Sequence, residues 1–309
     1  MSTFRIVIIL PYFGKFPNYI HFFFKTCVYN TNITFLVFTD NDYSAYANID
    51  NIKFIPSTLG AFNALAGTKL GTEVNITNAY KLCDFKPMYG LIYADYIKDY
   101  DFWGYCDTDI ILGDLNKILT AEVLEKYDII SSHSQYMAGP FSLYKNTKEV
   151  NSLFFKSKDW EEVVANKSVL LFDEASNVIN KLWEGYNIFD FESQIESMTH
   201  LVQNKEASQV KTYFSNFNTE RIPQNTKLTW RHGKLADANG NELYIFHFLV
   251  YKTSLLFNVP LKLDKDFFYF TRHGFFLDTI GSYTFTWSKS ILKNFSGKVL
   301  KKAKRKLKL

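Results

Sequence analysis

The chain contains 309 residues with a formal net charge of +4, and 47 % of the residues are hydrophobic. This composition excludes a disordered protein, and the length allows a core that needs no disulfide or metal to fold. No apolar run reaches the roughly 18 residues of a transmembrane helix, so none is predicted. The three cysteines lack CxxC spacing, which favours reduced thiols over a disulfide framework or a zinc site. A cytoplasmic location is expected, because the first residues do not resemble a signal peptide.

The charge is distributed unevenly along the chain. Residues 289–309 contain nine lysines and arginines and no acidic residue, so residues 1–288 carry 26 cations against 31 anions, a formal charge of −5. Apolar residues recur at helical spacing in this basic tail, which predicts an amphipathic helix that attaches the protein to the inner face of an anionic cell membrane. A solvated tail and attachment to nucleic acid are the alternatives. The acidic body disfavours nucleic-acid binding, which needs clustered cations.

Predicted strands and helices alternate through about the first 130 residues. Apolar runs predict strands over 6–10, 34–38, 52–55 and 102–106. Helices are expected over about 17–29, 57–71 and 84–98, the last with Asp84 as its N-cap, and Asp114 is expected to cap another. This alternation predicts a mostly parallel, doubly wound α/β sheet with helices on both faces.

The second half of the chain is less regular. Strands are predicted over 128–131 and 141–144, and a helix is predicted over 147–166. Residues 206–288 are rich in aromatic and turn residues, which indicates an irregular, mixed region. A turn is expected at Asn239-Gly240 between two extended stretches.

The most informative residues are Asp107-Thr108-Asp109, which directly follow the strand over 102–106. Carboxylates at i and i+2 on a strand project to the same face, and open α/β sheets place their ligands where strands end. Mg²⁺ and Mn²⁺ are often held by one or two carboxylates together with substrate phosphates. The pattern therefore predicts a divalent-metal site that neutralises a diphosphate leaving group. A plain surface turn is the alternative, because a D-x-D tripeptide also occurs by chance.

Three segments carry a resemblance to a known class of enzymes. The segment around Asp107 is similar to the D-x-D region of nucleotide-sugar glycosyltransferases with the GT-A fold, and residues 4–175 resemble them in the order of their elements. Together the segments resemble a mostly uncharacterised bacterial family, usually found among capsule and lipopolysaccharide assembly proteins. The segments are Leu10-Pro11-Tyr12-Phe13-Gly14-Lys15, Tyr80-Lys81-Leu82-Cys83-Asp84-Phe85-Lys86-Pro87 and Phe102-Trp103-Gly104-Tyr105-Cys106-Asp107-Thr108-Asp109-Ile110-Ile111-Leu112-Gly113-Asp114-Leu115.

The resemblance implies a role for each matching residue. Asp107 and Asp109 would hold Mn²⁺ or Mg²⁺ on the diphosphate of the donor. The loop after the first strand would lie over the nucleotide base, and the segment before the D-x-D strand would contact the donor sugar and phosphates. The residues assigned to the donor in this way are Pro11, Tyr12, Phe13, Gly14, Asp40, Lys81, Asp84, Lys86 and Thr108. Asp40 as a turn cap, Asp84 as an N-cap only and Lys86 as solvated surface remain alternatives.

A histidine and a lysine later in the chain extend this prediction. His247 lies in an apolar run and is either a hydrogen-bonded core residue or, as the resemblance implies, a third metal ligand. Lys252 would then be a phosphate partner. On a regular strand the two side chains face oppositely, so a shared role requires the strand to end between them.

Asp173 and Glu174 are a further pair of acidic residues. An inverting transferase needs a carboxylate within about 3 Å of the acceptor hydroxyl to take its proton, and either residue could supply it or bind acceptor hydroxyls. The alternative is an N-cap for a helix through Ile179. Residues 139–142 are a candidate lining of the acceptor side.

The sequence thus predicts a metal-dependent, GT-A-like glycosyltransferase acting on a UDP-sugar donor and a surface polysaccharide or lipid-linked glycan acceptor. One domain is expected over 1–288, with its nucleotide-binding half at about 1–130 and its acceptor half at about 131–288, followed by the tail. The alternatives are a nucleotidyltransferase or sugar-phosphate transferase on the same scaffold, and a non-catalytic glycan-binding assembly protein.

Overall fold

The computed structural model describes residues 4–204 and 209–278, so the amphipathic tail predicted over 289–309 lies outside the described residues. The chain divides into two units that interleave along the sequence. The first unit comprises residues up to 16, residues 31–107 and the described part of 116–217. The second unit comprises residues 17–30, 108–115 and those from 218 onward.

Strands are short in both units, and the described residues contain fifteen of them. They are β1 Ile6–Tyr12, β2 Ile33–Thr39, β3 Ile52–Pro56, β4 Phe102–Cys106, β5 Ile110–Leu112, β6 Ile129–Ser131, β7 Phe141–Lys145, β8 Thr212–Phe214, β9 Asn218–Thr219, β10 Leu228–Arg231, β11 Lys234–Ala236, β12 Glu242–Leu243, β13 Ile245–His247, β14 Phe267–Thr271 and β15 Gly274–Phe276.

The α-helices are α1 Ile20–Val28, α2 Leu59–Leu70, α3 Leu82–Phe85, α4 Tyr89–Ile92, α5 Ala94–Ile97, α6 Ala121–Lys126, α7 Lys148–Asn151, α8 Trp160–Ala165, α9 Ile179–Trp183, α10 Met198–Gln203 and α11 Leu249–Lys252. Single 3₁₀ turns lie at Ser44–Tyr46, Ala79–Lys81, Lys86–Met88, Leu115–Lys117, Leu153–Lys156, Ser176–Val178 and Ile188–Asp190.

The first unit is built on a seven-stranded sheet with the order β3-β2-β1-β4-β7-β6-β8. Six of these strands run in one direction, and only β7 is antiparallel to its neighbours. The apolar runs that predicted β1, β2 and β4 are buried almost completely, as expected for strands covered on both faces. The predicted α/β fold with a mostly parallel, doubly wound sheet is confirmed.

The strand order reverses between β1 and β4. Ile8 pairs with Phe35 of β2 on one side and with Gly104 of β4 on the other. In doubly wound sheets the ligand crevice lies at such a reversal, outside the carboxyl ends of the strands. The segments that leave β1, β2 and β4 at this edge begin at Phe13, Asp40 and Asp107, respectively.

The core of the second unit is mostly aromatic. Phe22 of α1 stacks on Phe275 with ring centroids 4.0 Å apart, and Trp230 stacks on Phe268 at 5.0 Å. Trp230, Phe268 and Phe275 belong to a five-stranded antiparallel sheet, β12-β11-β10-β14-β15, while β5, β13 and β9 form a separate three-stranded sheet. Many of the aromatic residues in the composition are therefore core residues.

Several local predictions hold and others were wrong. The turn at Asn239-Gly240 joins the paired strands β11 and β12. The helix predicted over 57–71 corresponds to α2, which Thr58 caps. The helices predicted over 84–98 and 147–166 are instead each divided into several short helical segments. Asp84 is not an N-cap, because it lies inside α3. The helix expected after Asp114 is a 3₁₀ turn.

Candidate active site

The loop that leaves β1 is tied to the loop that leaves β2. The backbone N–H of Gly14 donates to Oδ1 of Asp40 at 2.9 Å, and the side chain of Asn41 donates to the Gly14 carbonyl at 2.6 Å. Gly14 has φ of +87°, a left-handed conformation that favours glycine. Asp40 thus shapes the loop, while its assignment to base or ribose remains a prediction.

The predicted nucleotide loop itself is mixed in exposure. Pro11 and Tyr12 are half-buried, whereas Phe13 is 8 % exposed and packs in the core of the first unit. Its ring lies 6.5 Å from that of Phe62. Phe13 therefore anchors the loop in the core, and the predicted contact of this loop with a nucleotide base stays a prediction.

Lys86 lies between three acceptors of the first unit. Its Nζ donates to Oδ1 of Asp107 and to the carbonyl oxygen of Gly139, both at 2.8 Å, and lies 3.4 Å from Oδ2 of Asp173. Burial alone would lower the pKa of Lys86, but the neighbouring acidic groups, with Asp107 the largest contributor, together outweigh burial and raise it well above its ordinary value. The lysine is therefore ionised, and it is buried rather than on the solvated surface.

Asp173 and Glu174 lie against Gly139. Asp173 is 2 % exposed, and within the described residues its Oδ1 has no hydrogen-bond partner. Burial raises the pKa of Asp173 well above its ordinary value, and the neighbouring charge of Glu174 raises it further against the opposing effect of Lys86. The Gly139 N–H donates to Oε1 of Glu174 at 3.0 Å. Neither acid caps a helix, so the N-cap alternative was wrong.

A side chain at Gly139 would crowd the carboxyl groups of Asp173 and Glu174. A Cβ at this position would lie 2.7 Å from Oε1 of Glu174 and 3.1 Å from Oδ2 of Asp173. The close approach brings the backbone of residue 139 against both carboxyl groups. A larger residue here would therefore displace the Glu174 side chain.

Lys81 and Asp84 form a closed pair in the first unit. Lys81 Nζ donates to Oδ2 of Asp84 at 2.7 Å and to the Ser168 carbonyl at 2.8 Å. Asp84 also accepts from the backbone N–H groups of Leu170 and Phe172 at 2.8 and 2.9 Å. Both side chains are almost fully buried, so these contacts position the segment before Asp173. Their predicted contact with the donor remains untested.

In the second unit, His247 and Lys252 both reach Asp109. Nε2 of His247 lies 3.3 Å from Oδ2 of Asp109, and Lys252 Nζ donates to the same oxygen at 2.6 Å. Both side chains can do so because β13 ends at His247 and Lys252 is the last residue of the short helix α11 that follows. Burial would raise the pKa of Asp109, but the contacts with His247 and Lys252 lower it instead. Thr108, next to Asp109, is half-buried.

Glu220 also belongs to this cluster, although no motif or pattern in the sequence selects it. Its Oε1 lies 3.2 Å from Nδ1 of His247, on the opposite side of the ring from Asp109. The parallel pairing of β9 with β13 aligns Thr219 with Phe246, which brings the next residues, Glu220 and His247, side by side. A register between strands of two and three residues cannot be recognised in a sequence.

The second unit thus offers a carboxylate, an imidazole and an ammonium group at one point. Metal-binding histidines typically have their second ring nitrogen bonded to a carboxylate, which fixes the ring and its tautomer. Glu220 provides that bond for His247. Together with Asp107, which precedes Asp109 by two residues in the sequence, these are the residues that could hold a divalent metal.

The chain belongs to a family without an assigned function, described as "Family of unknown function (DUF6625)", whose members it matches over residues 8–260. No curated protein matches it. Among solved structures it is similar to the galactosyltransferase LgtC in complex with donor and acceptor sugar analogues, at 16 % identity and a TM-score of 0.36, covering 69 % of this chain and 75 % of LgtC.

It is also similar to the glycosyltransferase GlyE of Streptococcus pneumoniae TIGR4, at 14 % identity and a TM-score of 0.35 over 70 % of this chain. The matched region spans about half of GlyE, 46 % of that chain. At TM-scores this low, evidence for function has to come from the residues of the chain itself. In the part of the chain that the structure describes, no helix is long and apolar enough to cross a membrane.

Proposed function

We propose that the protein is a metal-dependent glycosyltransferase that moves a sugar from a nucleotide diphosphate sugar, with a UDP-sugar as the expected donor, to a glycan. The observation that carries this proposal is the convergence of His247 and Lys252 on one carboxylate oxygen of Asp109. The cluster combines ligands for a divalent cation with a lysine, and a diphosphate leaving group requires both kinds of positive charge.

The residues proposed as metal ligands are Asp107, Asp109 and His247. This mixed oxygen and nitrogen set favours Mn²⁺ over Mg²⁺, because Mg²⁺ is bound by oxygen ligands and an imidazole is a softer donor. The bond from Glu220 to the far ring nitrogen fits a histidine that ligates through Nε2. When bound, the metal would act as a Lewis acid on the diphosphate of the donor.

Two lysines provide positive charge that belongs to the chain itself. Lys252, with its side chain 28 % exposed, can turn from Asp109 to a bound diphosphate and offset the charge that develops on the leaving group. Lys86 holds Asp107 in a fixed orientation and remains ionised when buried. We assign donor binding to Lys252 and orientation of Asp107 to Lys86.

Asp173 is the proposed contact of the acceptor hydroxyl, with Glu174 as its neighbour. Its buried Oδ1 can accept a hydrogen bond that none of the described residues supplies. Its raised pKa brings the carboxyl closer to neutrality, which suits a group that takes and returns a proton. A surface polysaccharide or lipid-linked glycan at the membrane remains the expected acceptor, from the basic tail and the family resemblance.

The direct test is a screen of nucleotide sugars with Mn²⁺, with release of the nucleoside diphosphate as the readout. We expect one donor to be consumed, and consumption to be lost in Asp109→Asn. Asp264→Asn is the matched control, because Asp264 is an exposed aspartate of the same unit. Retained activity in Asp109→Asn would contradict the metal role.

Product analysis separates the alternatives. A nucleotidyltransferase would release pyrophosphate from a nucleoside triphosphate, and a glycan-binding protein would release neither product. A binding protein would also show no rise in melting temperature when nucleotide sugar and Mn²⁺ are added, whereas a bound donor stabilises the folded state by mass action.

A further inference from the structure

A cavity in the second unit has a lining unlike that of the proposed metal site. It has a volume of about 720 Å³, within the range of pockets that bind small molecules. One wall is the loop from Arg221 to Lys227, another is β14 with Tyr269 and Thr271, and a third is α11 with Tyr251.

Among the described residues of these walls, positive charge predominates. Arg221, Lys227 and Arg272 all line the cavity, and within the described residues none of them forms an ion pair. Asp278 is the one carboxylate among the described lining residues, and Lys265 lies 3.6 Å from it. Burial, followed by the charge of Arg272, lowers the pKa of His273, which is therefore neutral near pH 7 and adds no further cation.

The cations are held in place around groups that can bind hydroxyls. Nζ of Lys227 lies 3.9 Å from the ring centroid of Tyr269, a cation–π contact that fixes the lysine at the wall. On β14, Phe268 and Phe270 face the core, so Tyr269 between them faces the cavity. Gln224 and Asn225 add amide donors and acceptors, which suit the hydroxyl groups of a sugar.

The cavity shares two chain segments of the second unit with the proposed metal site. Arg221 follows Glu220 in the chain, and Tyr251 precedes Lys252. The Tyr251 hydroxyl accepts from the N–H of Ile222 at 3.0 Å, which links these two segments. A ligand in the cavity would therefore contact the same two segments that carry Glu220 and Lys252.

We infer that this cavity binds an anionic sugar of the acceptor glycan, one that carries a phosphate or a carboxylate group. Guanidinium groups bind both anions through paired hydrogen bonds, and a cleft lined by one sign of charge concentrates its counterion. This inference rests on the proposed glycosyltransferase function for the identity of the ligand as an acceptor. The anion-binding property of the cavity does not depend on it.

The test uses three forms of one sugar, glucose, glucuronate and glucose 6-phosphate, with the full-length protein and no metal. Isothermal titration or ligand-observed NMR should show the two anions binding about tenfold or more tighter than glucose, as charged hydrogen bonds predict. Arg221→Gln combined with Arg272→Gln should abolish this preference. Arg231→Gln should retain it, because Arg231 is an exposed arginine of the same unit outside the cavity.

Further arms separate this inference from the proposed function. Asp109→Asn should bind glucuronate normally while losing release of nucleoside diphosphate. UDP should bind the double variant as tightly as the wild type, and a selective loss of UDP binding would assign the cavity to the donor and overturn the acceptor assignment. Equal binding of glucose and glucuronate by the folded wild-type protein, or a retained preference in a double variant with an unchanged melting temperature, would overturn the site itself.

Discussion

Each unit of the molecule contains a lysine–aspartate pair of nearly the same length, 2.7 Å for Lys81 and Asp84 in the first and 2.6 Å for Lys252 and Asp109 in the second. Their surroundings differ. Asp84 accepts from two backbone N–H groups and is fully buried, and Lys81 is only 3 % exposed. Asp109 instead faces a histidine, and Lys252 keeps 28 % of its side chain exposed.

This difference separates a pair that fixes the chain from one that can exchange partners. The Asp84 carboxylate already bonds to an ammonium and to two backbone amides, so a ligand would have to break an existing contact. The Asp109 carboxylate is shared between groups that also suit a metal and a phosphate. The length of an ion pair therefore does not indicate its role, whereas the other partners of its carboxylate do.

Asp84→Ala should have the largest effect, and that effect should be on stability. The substitution leaves the Lys81 ammonium buried without its counterion, and breaking a buried pair in this way typically lowers the free energy of unfolding by about 3–5 kcal/mol. Denaturant unfolding monitored by circular dichroism measures the loss. Replacing both partners, Lys81→Met with Asp84→Asn, should destabilise less. A double variant as unstable as the single one would argue against this account.

Lys252→Met should produce the opposite pattern, with a small loss of stability and a large loss of donor use. Removing a charged hydrogen bond to the diphosphate is expected to lower kcat/KM by about 10- to 100-fold. The free energy of unfolding should change by less than about 1 kcal/mol, because the lysine is partly exposed. Lys262→Met, at an exposed lysine of the same unit, is the matched control. Normal donor use in Lys252→Met would remove the distinction between the two pairs.

The sequence anticipates the part of the molecule that depends on long apolar runs. β1, β2 and β4 were predicted within two residues at either end, because buried parallel strands are continuous in hydrophobicity. The interruptions of the helices over 84–98 and 147–166 were not predicted, because the α-helix and the 3₁₀ turn share nearly the same apolar spacing.

The candidate site was predictable where its residues belong to a motif or stand out in an apolar run. Asp109 and His247 were selected on those grounds, and the condition set for Lys252, a strand end after His247, is met. Contacts made through the backbone could not be predicted in the same way. Leu170, whose backbone N–H donates to Asp84, lies 86 residues further along the chain. The position of Glu220 beside His247 depends on the register of a two-residue strand.

Glu220→Gln changes only the carboxylate that contacts Nδ1 of His247. The glutamine retains the shape of the side chain but removes the charge that fixes the imidazole, so Mn²⁺ affinity should fall by about 10- to 100-fold. Mn²⁺ titration of nucleoside diphosphate release measures it, and saturating Mn²⁺ should restore most of the rate. Glu242→Gln is the control, at a half-buried glutamate of the same unit. An unchanged Mn²⁺ requirement would exclude Glu220 from the site.

Asp173→Asn should change the free energy of unfolding by an amount that depends on pH. Because burial raises the pKa of Asp173 in the folded protein, the neutral carboxyl is stabilised at low pH, and this stability is lost as the pH rises from the ordinary aspartate value toward the raised one. The asparagine variant, which cannot ionise, should therefore gain stability relative to the wild type as the pH increases. Urea unfolding of both proteins between pH 4 and pH 8 measures the difference. A difference that stays constant across this range would show that Asp173 does not titrate as its burial requires, and Asp264→Asn should show no such trend, since that aspartate is exposed.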